Sequence, residues 1–435
     1  MNVQAINELV QADRVHRAVY TDPPLFELEL DRIFGRAWLL LGHESQVRRA
    51  GDFFTTRMGR ESVIVTRHRD GTVRVLVNRC AHRGARVCEA AEGNATELVC
   101  AYHGWTYDTA GCLVGLPLPG GYDRPAGESV GGGLARAPRV DSYRGFLFAS
   151  LAERGPTLVE FLGPLRASFD DFVERAPDGE VEVAGGVFKH VYQGNWKLVL
   201  ENHNDTVHPA FVHASSIWAA RRQPAVESGA YAEIGVRQML QNGAPWEVWE
   251  STGLWTAGYG HSWMADYHDD RRLVAALDHP AFTEYRAALE RRLGRDGAAR
   301  VLGELRWNSI VYPNCSFMSQ FRQLRIVHPI AVDRTVVHAY SFKLKGAPER
   351  MFHDTIAFSN VVNGTASPVL TDDLEVYERT QEGLSAQRSD WVFLGRGHGH
   401  DVPDGAGVLR GGSGTSEIHI RNQLAAWLEY MTAES

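Results

Sequence analysis

The stretch NRCAHRGARVC, residues 78–88, and the stretch CAYHGWTY, residues 100–107, each place a cysteine beside a histidine. The spacing is Cys80-x-His82, seventeen intervening residues, and then Cys100-x-x-His103. Thiolate and imidazole are the ligands of iron–sulfur and zinc sites, and one loop can present both members of a pair to one metal. With so few cysteines in the chain, this fixed spacing arises by chance in about one chain in ten thousand. The four side chains are therefore predicted to bind metal.

Zinc is an alternative, because two cysteines and two histidines also suit a tetrahedral zinc ion. Zinc fingers, however, usually pair cysteine with cysteine and histidine with histidine, and a short helix follows. Here each loop carries one residue of each type. The preceding stretch ESVIVTRHRDGTVRVLVN, residues 61–78, has two β-branched runs around Asp70-Gly71, a dipeptide typical of tight hairpins. This strand-rich context favours an iron–sulfur site.

Composition excludes several classes of function. The formal charge of -8 and the absence of lysine-rich blocks make nucleic acid an unexpected partner. The chain has neither a signal-like apolar segment nor an apolar run long enough to span a bilayer, so we expect a cytoplasmic protein without membrane contact. Five cysteines do not suggest a disulfide framework. Cys88 and Cys112 lie outside the metal spacing and are predicted to be buried as small hydrophobic residues.

A second group of metal-ligand residues lies in NWKLVLENHNDTVHPAFVH, residues 195–213. Asp205 and His208 are three residues apart, which predicts that they share one face of a helix. His213 follows five residues later, about 140° further round a regular helix. Pro209 is therefore predicted to distort the helix and let the two rings converge. Such a spacing occurs by chance in about one chain in ten, so alone it is weak evidence for a metal site. It becomes stronger evidence because the cysteine and histidine pairs precede it in the same chain.

Both groups resemble one known family. The stretches CAHRG and CAYHGW resemble the cluster loops of Rieske [2Fe-2S] domains. Residues in the second group resemble the mononuclear-iron segment of Rieske non-haem iron ring-hydroxylating oxygenases, namely Asn195, Trp196, Lys197, Glu201, Asn202, Asp205, His208 and His213. The resemblance covers nearly the whole chain and implies an α+β fold. An all-β Rieske domain, residues 40–155, would be inserted in a catalytic domain of residues 1–39 and 156–435, whose antiparallel sheet is flanked by helices.

The resemblance also implies roles for individual residues. Expected ligands of the [2Fe-2S] cluster are Cys80, His82, Cys100 and His103, and expected ligands of a mononuclear Fe(II) are His208, His213 and Asp373. Asp373 comes from SPVLTDDLEVYERTQEG, residues 367–383, which resembles a late helical segment whose second acid is the ligand; Asp372 is the alternative. Asp205 is expected to hydrogen-bond His208 and, across a subunit boundary, His103, which would carry the electron path. Alternatively, Asp205 only orients His208. Asn202 is a further catalytic candidate.

The implied function is that of the alpha subunit of a terminal oxygenase in aromatic catabolism. It would use O2 to hydroxylate an aromatic ring, with a cis-dihydrodiol as the expected product. Electrons from NAD(P)H would arrive through a separate reductase, with or without a ferredoxin, because the chain has no GxGxxG nucleotide motif and no plant-type ferredoxin motif. A homotrimer is expected. A small beta subunit would make the assembly three alpha and three beta subunits.

The substrate is less strongly indicated. The stretch VYPNCSFMSQFRQLRIVHPIAVDRT, residues 311–335, looks most like the benzoate, toluate and anthranilate types of dioxygenase, whose substrates carry a carboxylate. Arginine reads a carboxylate in a bidentate manner, and Arg322 is the candidate. Arg325 has counterparts in members that act on neutral rings and is expected to be structural. Three alternatives stay open: a ring monooxygenase, an oxygenase acting on aromatic amines or neutral aromatics, and a Rieske electron-transfer protein.

Overall fold

The computed structural model describes residues 3–122, 132–224, 234–265, 280–303 and 306–433. The chain divides into two compact units, one of residues 30–158 and one of residues 1–29 with 159–435. The first unit is therefore inserted in the sequence of the second. The regular structure of the insert is almost entirely β, whereas the second unit combines helices with an antiparallel sheet. The predicted fold class is confirmed.

The N-terminal segment contributes short elements to the second unit. They are α1 (Val3–Asn7), β1 (Val10–Gln11), β2 (Arg14–His16), α2 (Ala18–Thr21) and α3 (Pro23–Arg32). Proline is tolerated at the start of α3, because the first N–H groups of a helix have no partner within it. The Asp22 side chain accepts a hydrogen bond from the Leu25 N–H at 2.9 Å and so caps the same helix.

Short antiparallel strands build the insert. They are β3 (Leu39–His43), β4 (Asp52–Met58), β5 (Glu61–Arg67), β6 (Val73–Val77), β7 (Glu92–Asn94), β8 (Glu97–Val99), β9 (Thr106–Asp108), β10 (Leu113–Gly115), β11 (Arg139–Tyr143) and β12 (Phe146–Ser150). They form three sheets with strand orders β6-β5-β4-β7, β10-β9-β8 and β11-β12-β3. The hairpin predicted at Asp70-Gly71 is present, since Arg67 pairs with Val73 and Gly71 has a φ of 83°.

The second unit continues after the insert. Its remaining elements are α4 (Leu158–Leu162), α5 (Arg166–Glu174), β13 (Val181–Tyr192), α6 (Trp196–His203), α7 (His208–Val212), α8 (Ala214–Arg221), α9 (Ile234–Asn242), α10 (Trp246–Ser251), β14 (Gly253–Ala257), β15 (Ser262–Ala265), α11 (Pro280–Gly303), β16 (Arg306–Val311), β17 (Cys315–Met318), β18 (Gln323–Ala331), β19 (Arg334–Leu344), α12 (Glu349–Val362), α13 (Leu370–Leu384), β20 (Trp391–Phe393), β21 (Val402–Pro403), β22 (Val408–Arg410) and α14 (Ile418–Thr432). None of the helices in the described ranges is long and apolar enough to cross a membrane.

One antiparallel sheet organises this unit. Its strand order over the described residues is β13-β19-β18-β17-β16-β15-β14-β22-β21. Helix α6 packs against β16, β17 and β18, and α12 packs against β19. Ser316 on β17 is the direct partner of Arg325 on β18, so their side chains lie next to each other on one face of the sheet. The sheet thus supports α6, which carries the second group of predicted site residues.

A buried carboxylate joins α3, α6 and α14. Glu29 is fully buried and accepts three hydrogen bonds: from Lys197 Nζ at 2.6 Å, from Trp427 Nε1 at 2.6 Å and from Trp196 Nε1 at 2.7 Å. One cation and two indole N–H groups thus compensate the carboxylate for the loss of its hydration, as a buried charge requires. This cluster holds the first turn of α6 in place.

Candidate metal centres

Two loops of the insert have the same backbone geometry. In the first, the Cys80 N–H donates to Ala85 O and the Cys80 carbonyl accepts from Gly84 N; in the second, Cys100 pairs in the same way with Trp105 and Gly104. Gly84 and Gly104 have φ values of 78° and 69°, in the left-handed region that glycine occupies without strain. Each loop therefore turns sharply after its cysteine and returns its histidine to the same side.

The four predicted cluster ligands lie together. Cys80 and Cys100 belong to one buried core cluster. The His82 and His103 rings have centroids 4.6 Å apart, and the His82 ring also stacks on Trp105 at 5.0 Å. This pairing of two thiols with two imidazoles fits the donor set of a Rieske cluster, with two cysteines on one iron and two histidines on the other.

Polar groups around Cys80 favour its thiolate form. The Tyr107 hydroxyl lies 3.2 Å from Cys80 Sγ and accepts a hydrogen bond from Ala81 N at 3.1 Å. Burial raises the pKa of Cys80, but hydrogen bonds from Tyr107 and from the backbone of the cluster loop outweigh burial and lower this pKa below its usual value. A stabilised thiolate is what a metal ligand requires.

The second centre forms where three helices begin or end. His208 opens α7, His213 lies between α7 and α8, and Asp373 is in the first turn of α13. Asp373 Oδ1 lies 3.8 Å from His208 Nε2 and 3.4 Å from His213 Nε2, and one ligand atom of each residue lies within 4.8 Å of the others. Two imidazoles and one carboxylate on one side of a metal form the set that non-haem Fe(II) oxygenases use.

Further carboxylates contact the far sides of the two rings. Asp205 Oδ2 lies 3.7 Å from His208 Nδ1, and Asp372 Oδ2 lies 3.5 Å from His213 Nδ1. Each ring therefore turns Nδ1 to a carboxylate and Nε2 to Asp373, the orientation typical of metal-bound histidine. Asp372, the alternative ligand, thus contacts the outer nitrogen of His213. These residues fit a mononuclear iron.

Charge couples Asp205 to His208. Burial lowers the pKa of His208, but the Asp205 carboxylate outweighs burial and raises this pKa above its usual value. Burial raises the pKa of Asp205, whereas His208 and the backbone N–H of Val207 lower it, with a net value of about 2. The pKa of His213 is lowered, mainly by burial. Asp205 therefore stays ionised beside His208.

The prediction that Asp205 and His208 share one helical face is wrong. Helix α6 ends at His203 and α7 begins at His208. Asp205 Oδ1 instead accepts a hydrogen bond from Val207 N at 2.7 Å, a local turn that competes with helix formation. Pro209 lies in the first turn of α7, where a missing N–H costs little, so it does not kink the helix. The rings converge although α7 is short and undistorted by Pro209: His208 opens the helix, and His213 is its C-cap, with a φ of -95° and a ψ of 20° that depart from helical values.

Other predicted residues are placed as follows. Asn202 Nδ2 lies 3.5 Å from Asp373 Oδ1, so Asn202 joins the metal group. Arg322 is buried and donates to Met351 O at 3.2 Å and to Thr355 Oγ1. No hydrogen bond or ion pair within the described residues joins it to the metal group, and its role as a substrate reader stays a prediction. The predicted burial of Cys112 is wrong: it is exposed in the turn before β10.

Sequence reasoning missed Tyr107 and His203. Tyr107 sits on β9, directly after the second cluster loop, and its sequence position alone does not show that it reaches Cys80. His203 follows Asn202 in ENHND, which is a signal, but the ring contacts a residue on a distant strand, since His203 Nδ1 lies 2.7 Å from Ser316 Oγ. Long-range contacts of this kind are visible only in the folded chain.

Fold and geometry together define a protein with two separate metal centres, one suited to electron transfer and one suited to O2 chemistry. Residues 37–126 match the Rieske [2Fe-2S] domain, and residues 179–433 match the ring hydroxylating alpha subunit (catalytic domain). The chain belongs to the family of ring-hydroxylating oxygenase alpha subunits, as predicted. The predicted cofactors, a [2Fe-2S] Rieske cluster and a mononuclear iron, are thereby confirmed.

Relatives cover nearly the whole chain. The toluate 1,2-dioxygenase subunit alpha of Pseudomonas putida is 34% identical over 98% of this chain and 90% of its own length. The biphenyl dioxygenase subunit alpha of Paraburkholderia xenovorans (strain LB400) is 32% identical over 99% and 94%. Among solved structures, naphthalene 1,2-dioxygenase with indole bound in the active site superimposes with a TM-score of 0.82 at 26% identity, over 100% of this chain and 95% of that one. Members of the family are terminal oxygenases that depend on a reductase and electron-transfer partners and act on aromatic substrates.

Proposed function

We propose that this chain is the terminal oxygenase component that hydroxylates an aromatic ring with O2 and electrons from NAD(P)H. The convergence of His208, His213 and Asp373 in a chain that also carries a Rieske domain is the observation that supports this most strongly. When bound, the cluster supplies single electrons and the mononuclear iron supplies the site of O2 chemistry. A dihydroxylation that gives a cis-dihydrodiol is the proposed outcome.

The proposed ligands of the cluster are Cys80, His82, Cys100 and His103, and those of the mononuclear iron are His208, His213 and Asp373. Asp205 holds the His208 ring through its charge, and Asn202 lies beside Asp373. The proposed Rieske domain comprises residues 40–155, and residues 1–39 and 156–435 form the catalytic domain. The two compact units support this division, although their limits differ by several residues.

The proposed substrate is an aromatic carboxylate. Relatives named for toluate, 2-halobenzoate and anthranilate support this choice. Relatives named for biphenyl and benzene support a neutral aromatic ring as the second candidate. Arg322 remains the proposed reader of the carboxylate. Its buried guanidinium has a hydroxyl and a backbone carbonyl as hydrogen-bond partners among the described residues, and neither partner carries a charge.

We also propose a cytoplasmic assembly of three alpha subunits, either alone or with three small beta subunits. Electrons would reach it from a separate reductase, directly or through a ferredoxin, and would cross between subunits from His103 to Asp205. Light scattering of the purified alpha subunit, with and without co-expressed partners, measures the number of subunits. A stable monomer with full activity would contradict the proposed path between subunits.

Metal analysis and product analysis test the function together. We expect about three iron ions per chain, two in the cluster and one mononuclear. Asp373→Asn should leave about two irons and an unchanged visible spectrum, whereas the matched variant Asp372→Asn should keep about three. With a surrogate reductase, the wild-type protein should hydroxylate members of a panel of aromatic acids, amines and hydrocarbons. Iron limited to the cluster in the fully loaded wild-type protein would reduce the chain to an electron carrier.

A further inference from the structure

His203 is a histidine at the metal centre to which the proposed function assigns no role. It is the last residue of α6 and directly follows Asn202. The residue is half-buried, and its Nδ1 lies 2.7 Å from Ser316 Oγ. The His203 carbonyl accepts a hydrogen bond from Asn308 Nδ2, which fixes the backbone as well. In the described part of the chain, no hydrogen bond uses Nε2 of His203.

A buried cation lies beside this histidine. Ser316 is the direct strand partner of Arg325, so the two side chains share one face of the sheet. Arg325 is buried and donates to Asn363 Oδ1 at 3.0 Å and to Gln323 Oε1 at 3.2 Å, and both acceptors are neutral amides. No carboxylate of the described residues lies within 4.0 Å of it. The hydrogen bonds of the guanidinium therefore go to neutral groups, while the carboxylate of Asp373 acts on it through charge from a greater distance.

Arg325 and His208 both lie close enough to His203 for their charges to affect its pKa. Burial is the main reason why the pKa of His203 lies well below its usual value, and the charges of Arg325, His208 and His190 lower it further. The ring is therefore neutral at working pH. When the Ser316 hydroxyl donates to Nδ1, a neutral ring carries its proton on Nε2 and can donate it to an acceptor.

We propose that His203 is a specificity-determining residue, whose Nε2 donates a hydrogen bond to the carboxylate of the aromatic substrate, with the charge of Arg325 behind it. This inference rests on the proposed function and on its aromatic carboxylate substrate, and it assigns to His203, rather than to Arg322, the hydrogen bond that recognises the carboxylate. A site that offers a fixed donor favours substrates with a matching acceptor and rejects analogues without one, because the donor is then left unpaired. Arg325 contributes through its charge, and its Nε and Nη2 donors already bond the neutral side chains of Asn363 and Gln323.

Two substitutions of His203 distinguish an effect on substrate binding from an effect on folding. His203→Asn keeps a polar atom near the position of Nδ1, within reach of Ser316, and removes the group at Nε2. His203→Gln keeps a polar atom near the position of Nε2. The matched control is His353→Asn, because His353 is an exposed histidine on α12. Iron content per chain shows whether each variant is loaded like the wild type.

The readouts are the dissociation constants of benzoate and of toluene for the iron-loaded enzyme, from equilibrium dialysis, and the KM and kcat of product formation. His203→Asn should raise the benzoate dissociation constant and KM by about tenfold or more, with toluene binding not weakened and kcat changed much less. His203→Gln should recover a large part of the benzoate affinity. His353→Asn should behave like the wild type.

Several results would overturn the inference. Unchanged benzoate affinity in a loaded His203→Asn enzyme would do so, and a loss seen only in Arg322→Leu would transfer the role to Arg322. A wild-type enzyme that hydroxylates neutral rings but binds no aromatic carboxylate would overturn the inference and leave the oxygenase function standing. If benzoate binding depends on His203 but no aromatic compound is hydroxylated, the inference holds and the proposed function fails.

Discussion

Removing the negative charge of Glu29 should destabilise the second unit strongly. Its carboxylate is fully buried and accepts hydrogen bonds from the ammonium of Lys197 and from two tryptophan indoles. Glu29→Gln leaves Lys197, which is 2% exposed, as a buried cation without its charged partner. Breaking a buried ion pair costs about 3–5 kcal/mol, and three hydrogen bonds to a charged group allow a loss of this size.

Thermal unfolding measures this loss. Tryptophan fluorescence is a suitable signal, because the indoles of Trp196 and Trp427 donate to the Glu29 carboxylate and lose this environment when the unit unfolds. A cost of about 4 kcal/mol corresponds to a decrease in Tm of about 6 °C for a unit made of residues 1–29 and 159–435. The double variant Glu29→Gln with Lys197→Met should recover several degrees, since it leaves neither charge buried alone.

The control is the exposed ion pair between Lys345 and Glu180, whose charged atoms lie 2.6 Å apart. Glu180→Gln should change the Tm by about 2 °C or less, because solvent screens an exposed pair. If Glu29→Gln changes the Tm as little as Glu180→Gln does, or if the two substitutions in the double variant are additive, the charge of the buried carboxylate does not stabilise α6.

Three further predictions concern the centres and their surroundings. Tyr107→Phe should lower the reduction potential of the cluster by about 50 mV, the one-electron equivalent of about 1.2 kcal/mol. The reason is that the Tyr107 hydroxyl at Cys80 Sγ stabilises the reduced state of the cluster, which is more negative. A redox titration of the visible spectrum that finds no shift in potential contradicts this prediction. Burial raises the pKa of Glu201 to about 7 from its ordinary value of 4.5. The folded state therefore binds the proton of the Glu201 carboxyl more tightly than the unfolded state does. The stability that this proton provides is fully present below about pH 4.5 and is lost as the pH rises through 7. Glu201→Gln should therefore gain about 3 kcal/mol relative to the wild type between those pH values. If the stabilities of the two proteins change with pH in parallel, the shift is refuted. Asp205→Asn should keep the mononuclear iron but lower turnover at least about tenfold, because a neutral amide cannot hold His208 by charge. Iron analysis combined with single-turnover product measurement tests this prediction. Full turnover in the variant would exclude a role for the charge of Asp205.

Local spacing made the cluster loops predictable. His82 is two residues after Cys80, and His103 is three residues after Cys100, so a single turn decides whether both side chains of a pair reach one metal. The glycines at 84 and 104 supply the turn, and the structure has both in the left-handed region. The antiparallel hairpin at Asp70-Gly71 followed from sequence for the same reason.

Residues far apart in the chain needed the folded structure or a family resemblance. Asp373 is far from His213 in the sequence. Only the packing of α13 against β13 and α7 places the Asp373 carboxylate 3.4 Å from the His213 ring. Helical periodicity was also misleading between Asp205 and His208, because an aspartate side chain that bonds its own backbone competes with the helix, and periodicity does not register this competition.

The sequence by itself determined the ligand types, the two loops that present them and the class of chemistry, since these depend on residue identity and on short stretches of backbone. Only the tertiary structure decided that His203 lies against Ser316 and beside Arg325, that Tyr107 reaches Cys80 and that Cys112 is exposed. Contacts between distant segments are set by how all the elements pack at once, and no short stretch of sequence contains that information.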